Sequence, residues 1–253
     1  MTTHLLLDIE GTTCPVSFVT QVLFPYAATN IRSFIESHYH DNQIKEILKM
    51  AHREWKEEPQ QQANSNSDEI ANQAVGEVSS NQERLINYLT HLIAIDRKSK
   101  ALKDLEGKIW EEGYKKGLIH STLFEDAHES LPRWHQNGIT LAVYSSGSIQ
   151  AQKLLYENTE RGNLCGLFSH WFDTHSGAKK CLKSYQLIAK TMRAETKNIT
   201  FISDNGDECD AAENAGMQTL FSLRKDNPDQ NPRHHRVINN LNEVDSYLLA
   251  TSP

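Results

Sequence analysis

The chain has 253 residues, of which 38% are hydrophobic and 23% charged, with a formal net charge of -7 at pH 7. This is enough chain to bury a full core, as one large domain or two smaller ones, in a globular protein of ordinary composition. The acidic balance argues against nucleic acid or an anionic membrane as partner, because both select basic surfaces; one lysine and one metal ion would still make a local site for a small anion.

Residues 4–8, HLLLD, read as a short buried strand that stops at Asp8. From 16 to 118 strand signals are few. Residues 85–95 and 105–117 carry amphipathic helical patterns, and the stretch is too long for an ordinary connection within one sheet. It reads as an inserted helical domain. Within it EEPQQQANSNSDE (57–69) has Pro59 and no apolar rhythm, which predicts a mobile loop. Strand-like runs return at 139–145, 199–204 and 218–222. Leu182, Tyr185, Ile188, Ala189 and Met192 give one helical face, and 207–216 reads as a short helix ended by Gly216. This alternation predicts an α/β fold with a parallel, doubly wound sheet over 1–15 and 119–253, helices on both faces, and the helical insertion over 16–118.

In such sheets ligands bind outside the carboxyl ends of the strands, and four polar clusters fall there. The first is Asp8-Ile9-Glu10-Gly11-Thr12. It serves a turn and cap well, but Asp8 could also attack phosphorus while a neighbouring carboxyl handles protons. The second, VYSSGS (143–148), offers hydroxyls and backbone N–H groups to an anion, or merely a helix cap. The third is a lysine in DTHSGAKKCLKSY (173–185). A lysine before a helix can neutralise phosphate, and spacing leaves Lys179, Lys180 and Lys183 open. In the fourth, FISDNGDECDAA (201–212), Asp204 ends a strand. Asp207, Glu208 and Asp210 then fall in a helix start, where acids suit the dipole. Asp8 and Asp204 would make a carboxylate pair for magnesium.

The cysteines Cys14, Cys165, Cys181 and Cys209 form no CxxC pair, which suits reduced thiols in the cytoplasm. No basic-then-apolar leader and no membrane-length apolar run is read. The pair His234-His235 belongs to no HExxH-type spacing, so a histidine zinc site is not expected.

The order Asp-x-acid-Gly-Thr, strand-Ser, Lys, strand-Asp is similar to the haloacid dehalogenase superfamily of phosphohydrolases. LLLDIEGTTCPVSFVTQVLFPYA, LEGKIWEEGYKKG, VYSSGSIQAQKLL, FDTHSGAKKCLKSY and SDNGDECDAAENAGM more closely resemble the enolase-phosphatases of methionine salvage. The resemblance implies a Rossmann-like core with a helical cap, in a cytoplasmic monomer (also nuclear in a eukaryote) using one Mg2+. The implied reaction enolises 2,3-diketo-5-methylthiopentyl-1-phosphate and then dephosphorylates it to 1,2-dihydroxy-3-keto-5-methylthiopentene. By position it implies Asp8 as nucleophile and metal ligand. Glu10 would be a metal ligand through its carbonyl, with its side chain left for acid–base work. Ser145, Ser146 and Lys179 would bind substrate, and Asp204 would be the remaining ligand. Three stretches depart from the pattern. EDAHESLPRW lacks an early proline, Asn205-Gly206 stands where apolar residues are usual, and LRKDN (223–227) replaces Arg-Pro-Gly-Asn. The enolisation base stays open. So do two alternatives: a capped phosphatase for another small phosphomonoester, and an inactive phosphate-binding protein.

Overall fold

The computed structural model describes residues 2–57, 81–97 and 99–250. Strand β1 (His4–Leu7) is followed by a helical turn at Val16–Phe18 and a π-helical turn at Val19–Leu23. Four helices come next: α1 (Phe24–Ser37), α2 (Asn42–Glu57), α3 (Asn81–Ala94) and α4 (Lys100–Lys115). The expected loop at 57–69 lies outside the described residues, save for Glu57, which closes α2. The chain then runs α5 (Glu125–Gln136), β2 (Thr140–Tyr144), α6 (Ile149–Glu157), β3 (Phe168–Phe172) and α7 (Leu182–Thr191). It ends with β4 (Ile199–Ser203), α8 (Gly206–Asn214), β5 (Gln218–Ser222), β6 (Arg236–Ile238) and α9 (Val244–Ala250).

Two compact units result, Met1–Val22 with Tyr114–Pro253, and Leu23–Gly113. In the helical unit, apolar residues three and four apart turn inward: Ala27, Ile31, Phe34 and Ile35 on α1, and Leu85, Ile86, Leu89, Leu92 and Ile93 on α3. Trp110 on α4 stacks with Phe24 and donates its indole N–H to Leu23 O at 2.9 Å, which satisfies the buried nitrogen.

The other unit is built on one sheet in the order β3-β2-β1-β4-β5-β6, every pair parallel. The α/β alternation predicted this. Leu5, Leu6 and Leu7 are fully buried, because the central strand of a parallel sheet is covered on both faces. Each such side chain stabilises the fold by roughly 1.5–3 kcal/mol. Tyr185, Ile188 and Ala189 of α7 and Ala211 and Ala212 of α8 form one core with Leu6, Ala142, Tyr144 and Phe201 of the sheet. Strands β3 and β6 were not read from sequence. Both are edge strands, half exposed, and FSHWF and RVI carry no apolar run.

This strand order reverses direction beside β1, and the crevice at such a reversal is where doubly wound sheets place ligands. Leu7 pairs with Val143 on β2 and Ile202 on β4, so Asp8, Ser145 and Asp204 emerge together at that crevice.

Candidate active site

Asp8 follows β1 directly, and its N–H donates to Ile202 O at 2.9 Å, which ties it to the end of β4. The Ile9 N–H donates to Asp8 Oδ1 at 2.7 Å and orients the carboxylate. The chain then turns through Gly11, whose φ of +68° is left-handed. A Cβ there would lie 2.1 Å from Asp204 Oδ2, so only glycine lets the turn pass this close.

Among the three lysines left open by spacing, the structure brings Lys179 to the site. Its Nζ lies 2.7 Å from Asp8 Oδ1 and 2.7 Å from Glu208 Oε2, with the side chain 10% exposed. Lys180 is 60% exposed and pairs with Asp207 instead. Backbone geometry makes the selection. Gly177 has a φ of +120°, and three successive carbonyls of the loop accept hydroxyl hydrogen bonds. Tyr144 Oη donates to Gly177 O at 2.9 Å, Ser184 Oγ to Ala178 O at 2.8 Å and Tyr185 Oη to Lys179 O at 2.6 Å. Lys179 is thus aimed inward from a fixed loop.

Asp204 follows β4 as Asp8 follows β1, and both are buried. Ser203 Oγ stands 3.2 Å from Asp8 Oδ2 and 2.9 Å from Glu208 Oε2, so one hydroxyl proton serves two carboxylates. Sequence reasoning assigned Glu208 to the helix dipole and missed it as a site residue. Its place in the first turn of the helix that follows Asp204 was the available signal. Asn205 caps α8 by accepting from the Asp207 and Glu208 N–H groups, which explains a polar residue where apolar ones are usual.

Three buried carboxylates therefore face one lysine. Burial, and then the Asp8 and Glu208 charges, push the Asp204 carboxyl up to about 8. Burial and Asp8 also raise Glu208, although Lys179 opposes this. Burial alone would depress Lys179, but the Asp8 and Glu208 carboxylates outweigh it and raise its pKa. The cluster carries more negative charge than its lysine neutralises, and its donors are hard oxygens. That set fits a magnesium ion.

On the neighbouring strand, the Ser145 N–H donates to Phe172 O at 3.2 Å, and its buried Oγ accepts from the Gly147 N–H at 3.2 Å. Ser148, not Ser146, caps α6, accepting from the Ala151 N–H. Ser146 is half-buried between them, and Glu10, also half-buried, follows the Asp8 turn. Asp210, His234 and His235 place ligand atoms within 4.8 Å of one another. Their groups are engaged already: Asp210 with Arg233 and His235, His234 with Glu213, and His235 with Thr219.

A family model of haloacid dehalogenase-like hydrolases matches residues 2–216. Enolase-phosphatase E1 of Parasynechococcus marenigrum is 54% identical over 97% of this chain and 99% of its own. The chain belongs to the enolase-phosphatase family of haloacid dehalogenase-like hydrolases. It is a phosphatase. A further family member, Enolase-phosphatase E1 of Pseudomonas fluorescens, is 43% identical over 87% of this chain and 88% of its own. Among solved structures, UTR4 protein of Saccharomyces cerevisiae superposes with a TM-score of 0.73 at 29% identity, covering 95% of this chain and 98% of that one. The hydrolase YfnB of Bacillus subtilis, described as bound to magnesium, shares the fold with a TM-score of 0.55 at 16% identity, over 98% of this chain and 100% of its own. Among the described residues no helix is long and apolar enough to cross a membrane.

Proposed function

We propose that this enolase-phosphatase converts 2,3-diketo-5-methylthiopentyl-1-phosphate to 1,2-dihydroxy-3-keto-5-methylthiopentene and phosphate, by enolisation followed by dephosphorylation through Asp8. The observation that carries the mechanism is Lys179 Nζ held 2.7 Å from both Asp8 and Glu208 at the crevice where the strand order reverses. Asp8 attacks phosphorus in line, and the bond from phosphorus to the substrate oxygen breaks. Lys179, 2.7 Å from Asp8 Oδ1, offers positive charge to the phosphoryl oxygens. Ser145 and Ser146, at the end of β2 before the α6 N-terminus, bind the phosphate with their hydroxyls and N–H groups. The Glu10 side chain protonates the leaving oxygen and then takes a proton from the water that hydrolyses the aspartyl-phosphate. Asp8, Asp204 and the Glu10 carbonyl would hold Mg2+, one per chain, which when bound neutralises phosphoryl charge and orients the group.

In this reading residues 1–15 and 119–253 are the catalytic core and 16–118 the helical cap that shapes substrate choice. The two compact units, which divide at 22/23 and 113/114, support that division. The enzyme works as a monomer in the cytoplasm. Mass spectrometry of the product from the diketone phosphate with Mg2+ tests the reading, comparing wild type with Asp8→Asn. Enediol and inorganic phosphate are expected from the wild type alone. Turnover of ordinary sugar phosphates without the diketone phosphate would overturn the substrate, and full activity in Asp8→Asn the nucleophile.

A further inference from the structure

The segment after β5, LRKDN (223–227), is in contact with the turn that carries the first acid pair. Gly11 O accepts from Ser222 Oγ at 2.9 Å and from Asn227 Nδ2 at 2.9 Å. Both amide protons of Asn227 are used, because Nδ2 also donates to Ser222 O at 3.1 Å. The next carbonyl, Thr12 O, accepts from Arg224 Nη2 at 3.2 Å.

Arg224 is itself immobilised. Its guanidinium donates to both Asp126 oxygens, at 3.1 and 2.7 Å, and lies 4.0 Å from the centroid of the Phe124 ring. Asn227 is held by its N–H to Arg224 O and by Gln230 donating to Asn227 O. Ser222 and Asn227 are buried, so these are desolvated bonds that water does not replace. The same segment also reaches the second acid turn. Asp229 Oδ2 accepts from the Gly206 N–H at 3.0 Å, at the start of the helix that carries Glu208.

The geometry has a consequence for the carboxylates. A Cβ on Gly11 would meet Asp204 Oδ2 at 2.1 Å and Asn227 Nδ2 at 2.8 Å. The Asp204 carboxylate and the Asn227 amide therefore both press on the face of Gly11 where a side chain would stand, and the Asn227 hydrogen bond to Gly11 O holds the turn against that face. Release of Asn227 would let Gly11 move away from Asp204, and Glu10 would move with it. We infer that Asn227 and Arg224 are positioning residues, a brace that fixes the Gly11–Thr12 carbonyls and so sets the spacing of Asp8 and Glu10 against Asp204. The inference rests on the reading of Asp8 as nucleophile and of Glu10 and Asp204 as its partners. Neither Asn227 nor Arg224 touches the reacting atoms.

The test uses the full chain as Asn227→Ala and Arg224→Met, with His234→Ala as a control in the same segment that touches neither carbonyl. Two quantities are read at a temperature where circular dichroism shows each variant folded. One is kcat and KM for the diketone phosphate. The other is the affinity for beryllofluoride with Mg2+, followed by fluorine NMR, which reports an aspartyl-phosphate-like adduct on Asp8 without turnover. Displacement of a reacting group by about 1 Å costs about 10²-fold in rate, so Asn227→Ala is expected to lose about that much kcat while KM changes by no more than about threefold. Beryllofluoride affinity should fall about tenfold, with Arg224→Met in the same direction and His234→Ala unchanged.

Folded Asn227→Ala and Arg224→Met with wild-type kcat and beryllofluoride affinity overturn the brace. So does a rise in KM at constant kcat, which marks a substrate contact instead. If Asn227→Ala does not fold, Arg224→Met decides alone. A wild type that ignores the diketone phosphate but binds beryllofluoride overturns the substrate reading, and the brace is then judged by affinity. A wild type that turns over substrate without binding beryllofluoride overturns the adduct on Asp8, and kcat decides.

Discussion

Lys179 and Lys180 are neighbours in sequence, and each sits 2.7 Å from a carboxylate, yet they belong to different physics. Lys179 lies among Asp8, Glu208 and Asp204, groups nearly sealed from solvent. Lys180 lies on the surface with Asp207, beside Arg233, which also pairs with Asp207 and Asp210. Both clusters draw acids from the first turns of α8, with Glu208 turned inward and Asp207 and Asp210 outward. Water screens the outer network, so its pairs add little. Burial makes each inner charge costly unless it is paired, so the inner cluster holds its groups in one arrangement and presents its surplus negative charge to a cation. Pair distance alone would have ranked the two clusters equal; desolvation separates them.

That contrast can be broken in several ways, beginning with Asp8, the proposed nucleophile. Asp8→Asn should lower kcat by at least roughly 10³-fold, seen as loss of phosphate release, because an amide is a poor nucleophile. Next in size, Lys179→Met strands Asp8 and Glu208 without a cation. It should cost about 3–5 kcal/mol in urea or guanidinium unfolding, together with activity. Lys180→Met should leave the unfolding midpoint and kcat where they are. Equal losses in the two variants would show that burial is not what distinguishes them.

Gly11→Ala probes the close approach of the two acid turns. A left-handed alanine costs about 1–3 kcal/mol before any displacement of Asp204, so a lower unfolding midpoint and weaker magnesium binding by titration calorimetry are expected. An unchanged midpoint would mean that the turn relaxes away from Asp204.

The last contrast is a difference in the sign of pH dependence. Asp204 ionises near 8 in the fold against an ordinary 3.8, so it stabilises the metal-free protein fully below 3.8 and loses that contribution as pH rises toward 8. Asp204→Asn should therefore gain Tm over metal-free wild type progressively between pH 5 and 8, in differential scanning calorimetry. Magnesium at pH 8 should raise the Tm of wild type more than that of the variant. Asp207 is shifted the other way, lowered first by its hydrogen bond to Lys180 and then by Arg233. Its contribution is present above 3.8 and fades as pH falls, so Asp207→Asn should show the opposite slope in acid. Parallel slopes for the two variants would contradict the assignment of Asp204 as the buried acid.

Much of the molecule is legible in the residue order. Apolar runs that stop at Asp8, Ser145 and Asp204 mark strands buried on both faces, and they place three polar groups on one edge before any coordinates are known. Helical periodicity likewise marks the inserted unit. Strand β3 carries Ser169 and His170, and β6 has only three residues, so neither has a pattern to read; edge strands need only one buried flank. The choice of Lys179 over Lys180 was equally invisible to spacing, and only the family resemblance pointed to Lys179. The two side chains are chemically identical, and hydroxyls from Tyr144 and Tyr185, far apart in sequence, fix the loop that selects one. Glu208 and Asp207 are adjacent acids, and helical phase turns only Glu208 inward.

What the sequence by itself determined was the α/β alternation, the acids at the strand ends and the family's motifs, because these depend on local pattern and order. What only the tertiary structure decided was which charges are shut away from water, which carbonyls Asn227 and Arg224 hold, and that Glu208 joins the site. Those depend on burial and on contacts across as many as 216 residues of chain, and no local pattern encodes either.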